Sequence, residues 1–320
     1  MGMKIDLQTA AQRLREKDNI LILIHQFPDG DTIGCGFALC RALQSLSKTA
    51  RVLCSHTVNQ KYDYILNSVT PQCFEPDFVV SVDVADQKLL GEPVLSAYGD
   101  RIDLSIDHHG SNTFFAKENY VDASAAAASE ILYELICLLC GEPDKQMAAA
   151  LYTGISTDTG CFKFTNTTPK THLIAAKLME RGIDYGEINR IMFDTKVKSR
   201  ILLERMALDS MRFFCDDKVA IMTITREMKQ KSGADDEDLN GISALPRQVE
   251  GVLIGITVRE QEGGYCKISV RTHEPVSAAE FCAKFGGGGH VRAAGCEIKG
   301  SVEEASEQLL ALAKTYFEAK

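Results

Sequence analysis

The chain has 320 residues, 45% of them hydrophobic, which is enough for two domains with separate cores. Its 44 acidic and 35 basic residues leave a net charge of −9, which argues against a protein that holds long nucleic acid through many phosphate contacts. No apolar run approaches the roughly 20 residues of a membrane span, and eleven cysteines without a signal peptide predict reduced thiols and a cytoplasmic protein.

The first strong signal is the aliphatic run at residues 19–24, which favours a strand buried on both faces of a parallel sheet. The segment that follows contains a proline and a glycine, so we expect a loop that carries His25, Asp29 and Asp31 together. A helix is predicted over 37–46 from its apolar spacing. The local order is therefore strand, acidic loop and helix.

The same order recurs twice further along the chain. A strand predicted over 78–82 ends at Asp83, and one predicted over 102–106 ends at Asp107-His108-His109. Polar side chains at the carboxyl ends of neighbouring parallel strands meet in one crevice of an open α/β sheet. We therefore expect these groups to lie together.

A fourth acidic residue, Asp158, follows a helix predicted over 145–155. Taken alone, each of these motifs also fits a turn or a helix cap. Carboxylates that lie together repel each other unless a proton or a cation neutralises them, so the set predicts a metal site. Carboxylate oxygens mixed with imidazole favour Mn²⁺.

Further elements complete the first part of the chain. A strand and two helices are predicted over 51–54, 129–140 and 170–181. Cys137 and Cys140 have the spacing of a redox or zinc pair, but they lie in an apolar helix without a second pair and are interpreted as packing residues. A domain boundary is predicted near residue 195, followed by a connecting helix over 195–214.

The second part of the chain predicts another α/β unit. Strands are expected over 219–224, 252–258 and 265–270, the last two as a hairpin. These two strands are expected to end at Arg259 and Arg271. The polar run 231–240 is interpreted as a solvated loop or a helix cap.

A glycine-rich loop follows, made of Gly286, Gly287, Gly288 and Gly289 and then His290. Glycines leave backbone N–H groups unshielded, so the loop predicts close approach to an anion, with His290 as a further donor. A plain flexible turn is the alternative. The lysine of a P-loop does not follow, which argues against a P-loop ATPase.

The ordered motifs resemble those of the DHH phosphoesterase superfamily, and most of all its two-domain group of oligoribonucleases and 3′-phosphoadenosine 5′-phosphate (pAp) phosphatases. The matching positions are His25, Asp29, Asp31, Asp83, Asp107-His108-His109, Asp158 and the glycine-rich stretch from Phe285 to Gly295. The resemblance implies an α/β catalytic domain over 1–194 with a mostly parallel sheet flanked by helices. It also implies a helical linker over 195–214 and a smaller α/β nucleotide-binding domain over 215–320.

The resemblance also implies the roles of the site residues. Two Mn²⁺ ions, with Mg²⁺ or Co²⁺ as substitutes, are implied at His25, Asp29 and Asp83, and at Asp31, Asp83, His108 and Asp158. Asp83 then bridges the ions, His109 contacts the phosphoryl group or protonates the leaving oxygen, and Asp107 orients its neighbours. The substrate is implied to bind at Arg271, Arg259, His290 and the four glycines.

The implied reaction is hydrolysis of dinucleotides and short RNA to mononucleotides, or of pAp to AMP. Three alternatives stay open: a phosphodiesterase acting on cyclic or linear dinucleotides such as pApA, an inorganic pyrophosphatase and a non-enzymatic nucleotide-binding protein. No long nucleic acid and no membrane is expected as a partner, and a homodimer stays open.

Two positions depart from the family pattern. Cys35 stands where a serine is common, and Cys161 stands where an arginine often follows the Asp-Thr-Gly motif. The second change removes an expected phosphate contact, for which Lys163 is the candidate substitute. Binding of a soft metal by Cys161 is an unfavoured alternative.

Overall fold

The computed structural model describes residues 2–235, 239 and 241–317. The chain divides into two compact units, Met1–Thr195 and Lys196–Lys320. The helices and strands of the first unit are β1 (Met3–Lys4), α1 (Leu7–Glu16), β2 (Ile20–Leu23), α2 (Gly30–Ser45), β3 (Ala50–Leu53), α3 (Asp63–Leu66), β4 (Phe78–Val82), α4 (Val94–Tyr98), β5 (Leu104–Asp107), β6 (Glu118–Val121), α5 (Ala128–Cys140), α6 (Lys145–Asp158), α7 (Pro169–Met179) and α8 (Tyr185–Asn189).

The parallel sheet predicted for the first unit is confirmed. Its six strands run in the order β1-β6-β5-β4-β2-β3, and every neighbouring pair is parallel. Strand β2 shows why its sequence is apolar at every position: Ile20 and Ile22 belong to one hydrophobic core, and Leu21 and Leu23 belong to another. A strand buried on both faces needs apolar side chains in both directions.

The strand order reverses between β2 and β4. Open α/β sheets bind their ligands beyond the carboxyl ends of the strands at such a reversal. His25 lies just after β2, and Asp83 lies directly after β4. The topology alone therefore brings these two side chains to the same crevice.

Helix α2 begins earlier than the sequence pattern predicts. The Asp29 carboxylate accepts hydrogen bonds from the backbone N–H groups of Asp31 and Thr32, both at 3.1 Å, and so caps the helix at Gly30. The prediction of a loop over the whole acidic segment was wrong, because Asp31 lies in the first turn of α2. Its position is thereby tied to a rigid element.

Close packing of α2 against α6 depends on small residues. A Cβ atom at Gly34 would lie 2.4 Å from the carbonyl oxygen of Ala150, and one at Gly154 would lie 2.6 Å from Oδ1 of Asp31. Helix α6 also runs three residues beyond the predicted end, to Asp158. The acidic residues at the start of α2 and the end of α6 are therefore held by two closely packed helices.

Helix α5 is the apolar helix that carries Cys137 and Cys140. Both thiols are half-buried and pack against the first hydrophobic core, and the cysteines of the chain are free thiols. Across the described ranges, no helix has both the length and the apolar character that a membrane span requires.

The second unit contains one mixed sheet with helices. Its elements are α9 (Lys198–Asp209), β7 (Arg212–Phe214), β8 (Val219–Ile224), α10 (Arg226–Ser232), β9 (Ile254–Gln261), β10 (Tyr265–Thr272), α11 (Ala278–Ala283), β11 (Gly288–His290), β12 (Ala293–Lys299) and α12 (Val302–Lys314). The strands run in the order β11-β12-β10-β9-β8-β7, and within the described residues only β8 and β9 pair in parallel. One face of the sheet packs on α11 and α12.

The helix predicted over 195–214 is shorter in the structure. Residues 212–214 form β7, which pairs with β8, so that part of the prediction was wrong. Leu203 and Ala207 of α9 pack with Met222 and Ile224 of β8 in a small core of the second unit. Part of the polar run predicted over 231–240 lies outside the described residues.

Candidate active site

Seven predicted side chains form one cluster at the carboxyl ends of β2, β4 and β5. Their ligand atoms fall into three groups, each within 4.8 Å: His25, Asp29 and Asp83; Asp31, His108 and Asp158; and Asp83, His108 and His109. Asp83 and His108 each belong to two groups. The structure thus brings together residues that are up to 133 positions apart in the sequence.

Asp83 lies at the centre of the cluster. It is 3% exposed, has a φ of +56°, and within the described part of the chain its Oδ1 has no hydrogen-bond partner. Oδ1 lies 3.5 Å from Nε2 of His108, and Oδ2 lies 3.9 Å from Nε2 of His25. Burial, followed by the charges of Asp31 and Asp29, raises the pKa of Asp83 well above its usual value. A buried carboxylate oxygen that accepts no hydrogen bond from the described residues, and that lies among other carboxylates, fits a bound cation.

His108 is oriented for metal binding. Its Nδ1 lies 3.2 Å from the carbonyl oxygen of Ala125, a contact in which Nδ1 carries the proton and donates. Nε2 is then an acceptor, and it faces Asp31 at 3.9 Å, Asp83 at 3.5 Å and Asp158 at 3.5 Å. This is the tautomer that a metal-ligating histidine needs.

Asp31 is held at the amino terminus of α5. Its carboxylate accepts hydrogen bonds from the N–H groups of Ala128 at 2.6 Å and Ser129 at 2.9 Å. The N-cap residue of α5, Ala127, makes no side-chain hydrogen bond to the helix. Asp31 therefore satisfies the free N–H groups, and the helix dipole favours its negative charge.

The buried thiol of Cys35 supports Asp31. Its thiol lies 3.5 Å from Oδ1 of Asp31 and 3.4 Å from the hydroxyl of Ser129. Burial, followed by the charge of Asp31, raises the pKa of Cys35 well above its usual value. The thiol therefore stays protonated and donates to the carboxylate.

Asp107 contacts its neighbours and belongs to none of the three ligand groups of the described residues. Its Oδ1 accepts from the Nδ1–H of His109 at 2.8 Å, and its Oδ2 accepts from the amide of Asn112 at 2.7 Å. Burial acts to raise the pKa of Asp107, but these hydrogen bonds hold it below its usual value. The same bond raises the pKa of His109, whose ring is 44% exposed. His109 is therefore poised to hold a proton.

Asp158 completes the cluster at the end of α6. Burial, followed by the charges of Asp31 and Asp29, raises its pKa to about 8. Among the described residues, Cys161 belongs to no ligand group, although it follows Asp158 closely. Lys163 is exposed.

A cavity of about 200 Å³ opens at the cluster. It is lined by His25, Phe27, Asp29, Asp83, Leu89, His109 and Asp158. Phe27 and Leu89 were not predicted as site residues. An aromatic residue between two ligand positions, His25 and Asp29, was the available signal for Phe27, whereas nothing in the local sequence pointed to Leu89.

A second cavity, of about 210 Å³, lies in the second unit. It is lined by Ile224, Leu239, Gly241, Ser243, Thr257, Arg259, Ser269 and Arg271. The structure thus brings Arg259 and Arg271 together, although both lie within their strands and not at the ends as predicted. Within the described residues, the buried Nε of Arg259 has no hydrogen-bond partner. Burial, followed by the charge of Arg247, lowers the pKa of Arg271.

The polar lining of this cavity follows from strand alternation. Thr257 and Ser269 are directly opposite each other on β9 and β10, and Arg271 is opposite Gly255. A Cβ at Gly255 would lie 2.6 Å from the backbone nitrogen of Arg247, so the segment carrying that arginine passes close over the sheet. Because alternate residues of a strand lie on the same face, the sequence could have indicated that Thr257 and Ser269 share a face with Arg259 and Arg271. Arg247 had no such signal.

The glycine-rich segment is partly a strand. Gly288 to His290 form β11, paired with β12, so the prediction of a loop was wrong for these residues. A Cβ at Gly287 would lie 2.2 Å from the carbonyl oxygen of Gly295, so close backbone packing explains that glycine. Among the described residues, Gly286 and Gly288 have no neighbour within 4 Å of such a Cβ, so space is open at these two glycines.

His290 lies on the same sheet face as Arg271. Both residues are in register with Ala293, on opposite sides of β12, and side chains directly opposite each other share a face. His290 is exposed and is not part of the cavity lining. Arg271 and His290 therefore share a face of the sheet, but His290 lies outside the cavity that Arg271 lines.

Known proteins resemble the chain over nearly its full length. The bifunctional oligoribonuclease and PAP phosphatase NrnA of Thermus thermophilus is 33% identical over 301 residues, which cover 91% of this chain and 88% of that protein. The probable bifunctional oligoribonuclease and PAP phosphatase NrnA of Streptococcus mutans is 26% identical over 300 residues, which cover 90% of this chain and 92% of that protein.

A solved structure also matches. The crystal structure of an exopolyphosphatase-related protein from Bacteroides fragilis has a TM-score of 0.82 and 26% identity, covering 98% of this chain and 96% of that one. A family model described as the DHH family, N-terminal domain, matches residues 19–155, and one described as the DHHA1 domain matches residues 216–319. The resemblance seen in the motifs is thereby confirmed: the chain belongs to the DHH family of phosphoesterases.

Proposed function

We propose that this phosphoesterase hydrolyses short oligoribonucleotides to mononucleotides and pAp to AMP. The proposed cofactor is a pair of divalent metal ions, with Mn²⁺ as the preferred metal. The observation that carries the proposal is Asp83, which belongs to two ligand groups and whose buried Oδ1 has no hydrogen-bond partner among the described residues. The names of the Thermus thermophilus and Streptococcus mutans relatives support the substrate class. Phosphoesterases of this family depend on divalent metals.

The residues that would hold the ions divide into two sets around Asp83. One set is His25, Asp29 and Asp83, which form one ligand group. The other is the ligand group of Asp31, His108 and Asp158, to which we add Asp83 because its Oδ1 lies 3.5 Å from Nε2 of His108. When bound, the ions supply positive charge at the phosphoryl oxygens and lower the pKa of the attacking water. Six residues with oxygen or imidazole donors suit Mn²⁺ and Mg²⁺ better than a thiophilic metal.

His109, positioned by Asp107, is proposed to donate a proton to the leaving oxygen. The Asp107 carboxylate accepts from Nδ1 of His109 and raises the pKa of that imidazole, so His109 keeps a proton at neutral pH more readily than a free histidine. Its exposed ring leaves Nε2 free to donate to the leaving oxygen. Asp107 acts through His109 and is a positioning residue.

The arginine-lined cavity of the second unit is proposed to bind a phosphate of the substrate. Arg259 and Arg271 supply charge, and Thr257 and Ser269 supply hydroxyl donors. A few local cations are enough for a short substrate, whereas long nucleic acid needs many, and the net charge of −9 opposes it. Gly288 and His290 extend this face of the sheet.

A direct comparison of substrates tests the proposed function. With Mn²⁺, the purified chain is assayed on linear diadenylate, pAp, a five-residue RNA, cyclic diadenylate and pyrophosphate. We expect diadenylate and pAp to give the highest kcat/KM values. A preference for pyrophosphate or for cyclic diadenylate would instead support one of the two alternative hydrolases.

Replacing Arg271 with alanine is expected to raise KM for diadenylate about tenfold or more. A hydrogen bond to a charged group contributes roughly 1.5–3 kcal/mol, and about 1.4 kcal/mol is a factor of ten. Hydrolysis of bis(p-nitrophenyl) phosphate, which is smaller, should change little. We expect a smaller rise in KM for His290→Ala, since His290 does not line the cavity.

The matched control is Arg226→Ala, which removes an exposed arginine of the same unit that pairs with Glu262 and does not line this cavity. It should leave both substrates unaffected. An equal loss on diadenylate and bis(p-nitrophenyl) phosphate in Arg271→Ala would count against nucleotide binding by that arginine.

A further inference from the structure

Phe27 is unusually exposed for an aromatic residue beside a buried polar cluster. Its side chain is 72% exposed, although it lies four positions after β2 and between the ligand residues His25 and Asp29. Exposing a phenylalanine forgoes roughly 1.5–3 kcal/mol of burial. This position therefore calls for an explanation other than packing.

The ring of Phe27 is held from one side. The imidazole of His56 stacks on it with ring centroids 5.0 Å apart and an interplanar angle of 24°. His56 is itself exposed. Since Phe27 stays 72% exposed with His56 on one face, its other face is open. The pair is a flat aromatic surface with one supported side and one free side.

This surface is continuous with the cluster of candidate metal ligands. Phe27 lines the same cavity of about 200 Å³ as His25, Asp29 and Asp83. Leu89, 43% exposed, adds a second apolar wall, and its carbonyl oxygen accepts from the N–H of Gln26 at 2.8 Å, which ties it to the Phe27 segment. The lining of one cavity thus combines candidate metal ligands with two apolar side chains, Phe27 and Leu89.

We propose that Phe27 is the stacking platform for the nucleobase of the substrate nucleotide whose phosphate lies at the metal cluster, an inference that rests on the proposed function. A nucleotide joins a phosphate to a flat ring, which matches a cavity lined by both candidate metal ligands and an aromatic ring. Stacking of one base on an aromatic side chain contributes roughly 1–3 kcal/mol and depends little on which base it is. His56 is a positioning residue that supports the ring of Phe27.

The first experiment measures binding and does not depend on turnover. The dissociation constants of AMP and of ribose 5-phosphate are compared on the Mn²⁺-loaded full chain. We expect the wild type to prefer AMP about tenfold, which corresponds to about 1.4 kcal/mol. Phe27→Ala should lose most of that preference, Phe27→Tyr should keep it, and Phe27→Leu should lose most of it. Phe213→Ala, which truncates a 43% exposed phenylalanine of the second unit, is the matched control.

The second experiment measures hydrolysis of diadenylate and of analogues in which one adenosine is replaced by an abasic ribose. Phe27→Ala should raise KM for diadenylate about tenfold, with a smaller change in kcat, and should have little further effect on the analogue that lacks the stacked base. Equal losses on all substrates, or a Phe27→Leu variant as selective as the wild type, would overturn stacking and favour a general apolar contact.

The two proposals fail in different ways. A wild type that cleaves neither diadenylate nor pAp, yet prefers AMP through Phe27, contradicts the proposed function and retains the platform. A wild type that cleaves both, with no difference between AMP and ribose 5-phosphate, contradicts the platform and retains the function.

Discussion

Replacing Asp83 with asparagine is expected to lower kcat/KM with Mn²⁺ by about a thousandfold or more, the scale seen when a central catalytic group is removed. Asp83 is proposed to hold both ions, because it is grouped with His25 and Asp29 and its Oδ1 lies 3.5 Å from Nε2 of His108. One change should therefore weaken the binding of both ions. Asparagine keeps the shape of the side chain and removes its charge. The expected loss is therefore electrostatic and not a loss of packing.

Two measurements check this expectation: kcat/KM for diadenylate and the number of Mn²⁺ ions retained per chain. The matched control is Asp86→Asn, three positions along the same strand-end segment, because Asp86 belongs to no ligand group of the described residues. It should keep both activity and metal content. Near-normal turnover by Asp83→Asn with two ions still bound would contradict the shared-ligand assignment.

In the metal-free protein, the free energy of unfolding is expected to fall as pH rises. The pKa of Asp158 is raised from 3.8 to about 8, by burial first and then by the charge of Asp31, and the pKa of Asp83 is raised well above its usual value. A carboxyl whose folded pKa exceeds its unfolded pKa stabilises the fold fully below the unfolded pKa. This contribution is lost as pH rises from about 4 through about 8. The lowered pKa of Asp107 has the opposite effect: its contribution to stability is lost as pH falls, and only under acid conditions.

The measurement is Tm across pH 5 to 8.5, with and without Mn²⁺. Cations replace protons as the neutralising charge, so the Tm difference between the loaded and metal-free protein should widen as pH rises. Asp158→Asn should flatten the pH dependence of the metal-free protein. A Tm difference that does not change with pH would show that the carboxylates are not under mutual repulsion.

Much of the catalytic cluster is predictable from the sequence because its signals are local. His25, Asp83 and Asp107 each end an apolar run, and a continuous apolar run predicts a strand buried on both faces. Once the strands are parallel, their carboxyl ends share an edge. The order of the motifs then matched a family whose membership is now shown.

Other features depend on contacts that no local pattern encodes. The early start of α2 follows from the capping of its first turn by Asp29, and the position of Asp31 follows from N–H groups 97 and 98 residues away. The approach of Arg247 to Arg271 depends on a segment passing over β9. The individual roles of the site residues, the cytoplasmic location and the homodimer stay predictions.

By itself, the sequence determined the fold class, the family and the set of charged side chains, because hydrophobic periodicity and motif spacing are properties of short segments. Only the tertiary structure decided which atoms face one another. Among the described residues, it left Oδ1 of Asp83 buried without a hydrogen-bond partner, turned Nε2 of His108 toward three carboxylates, and kept one face of Phe27 open. Burial and orientation arise from packing between distant segments, and they are what convert a list of ligands into a site.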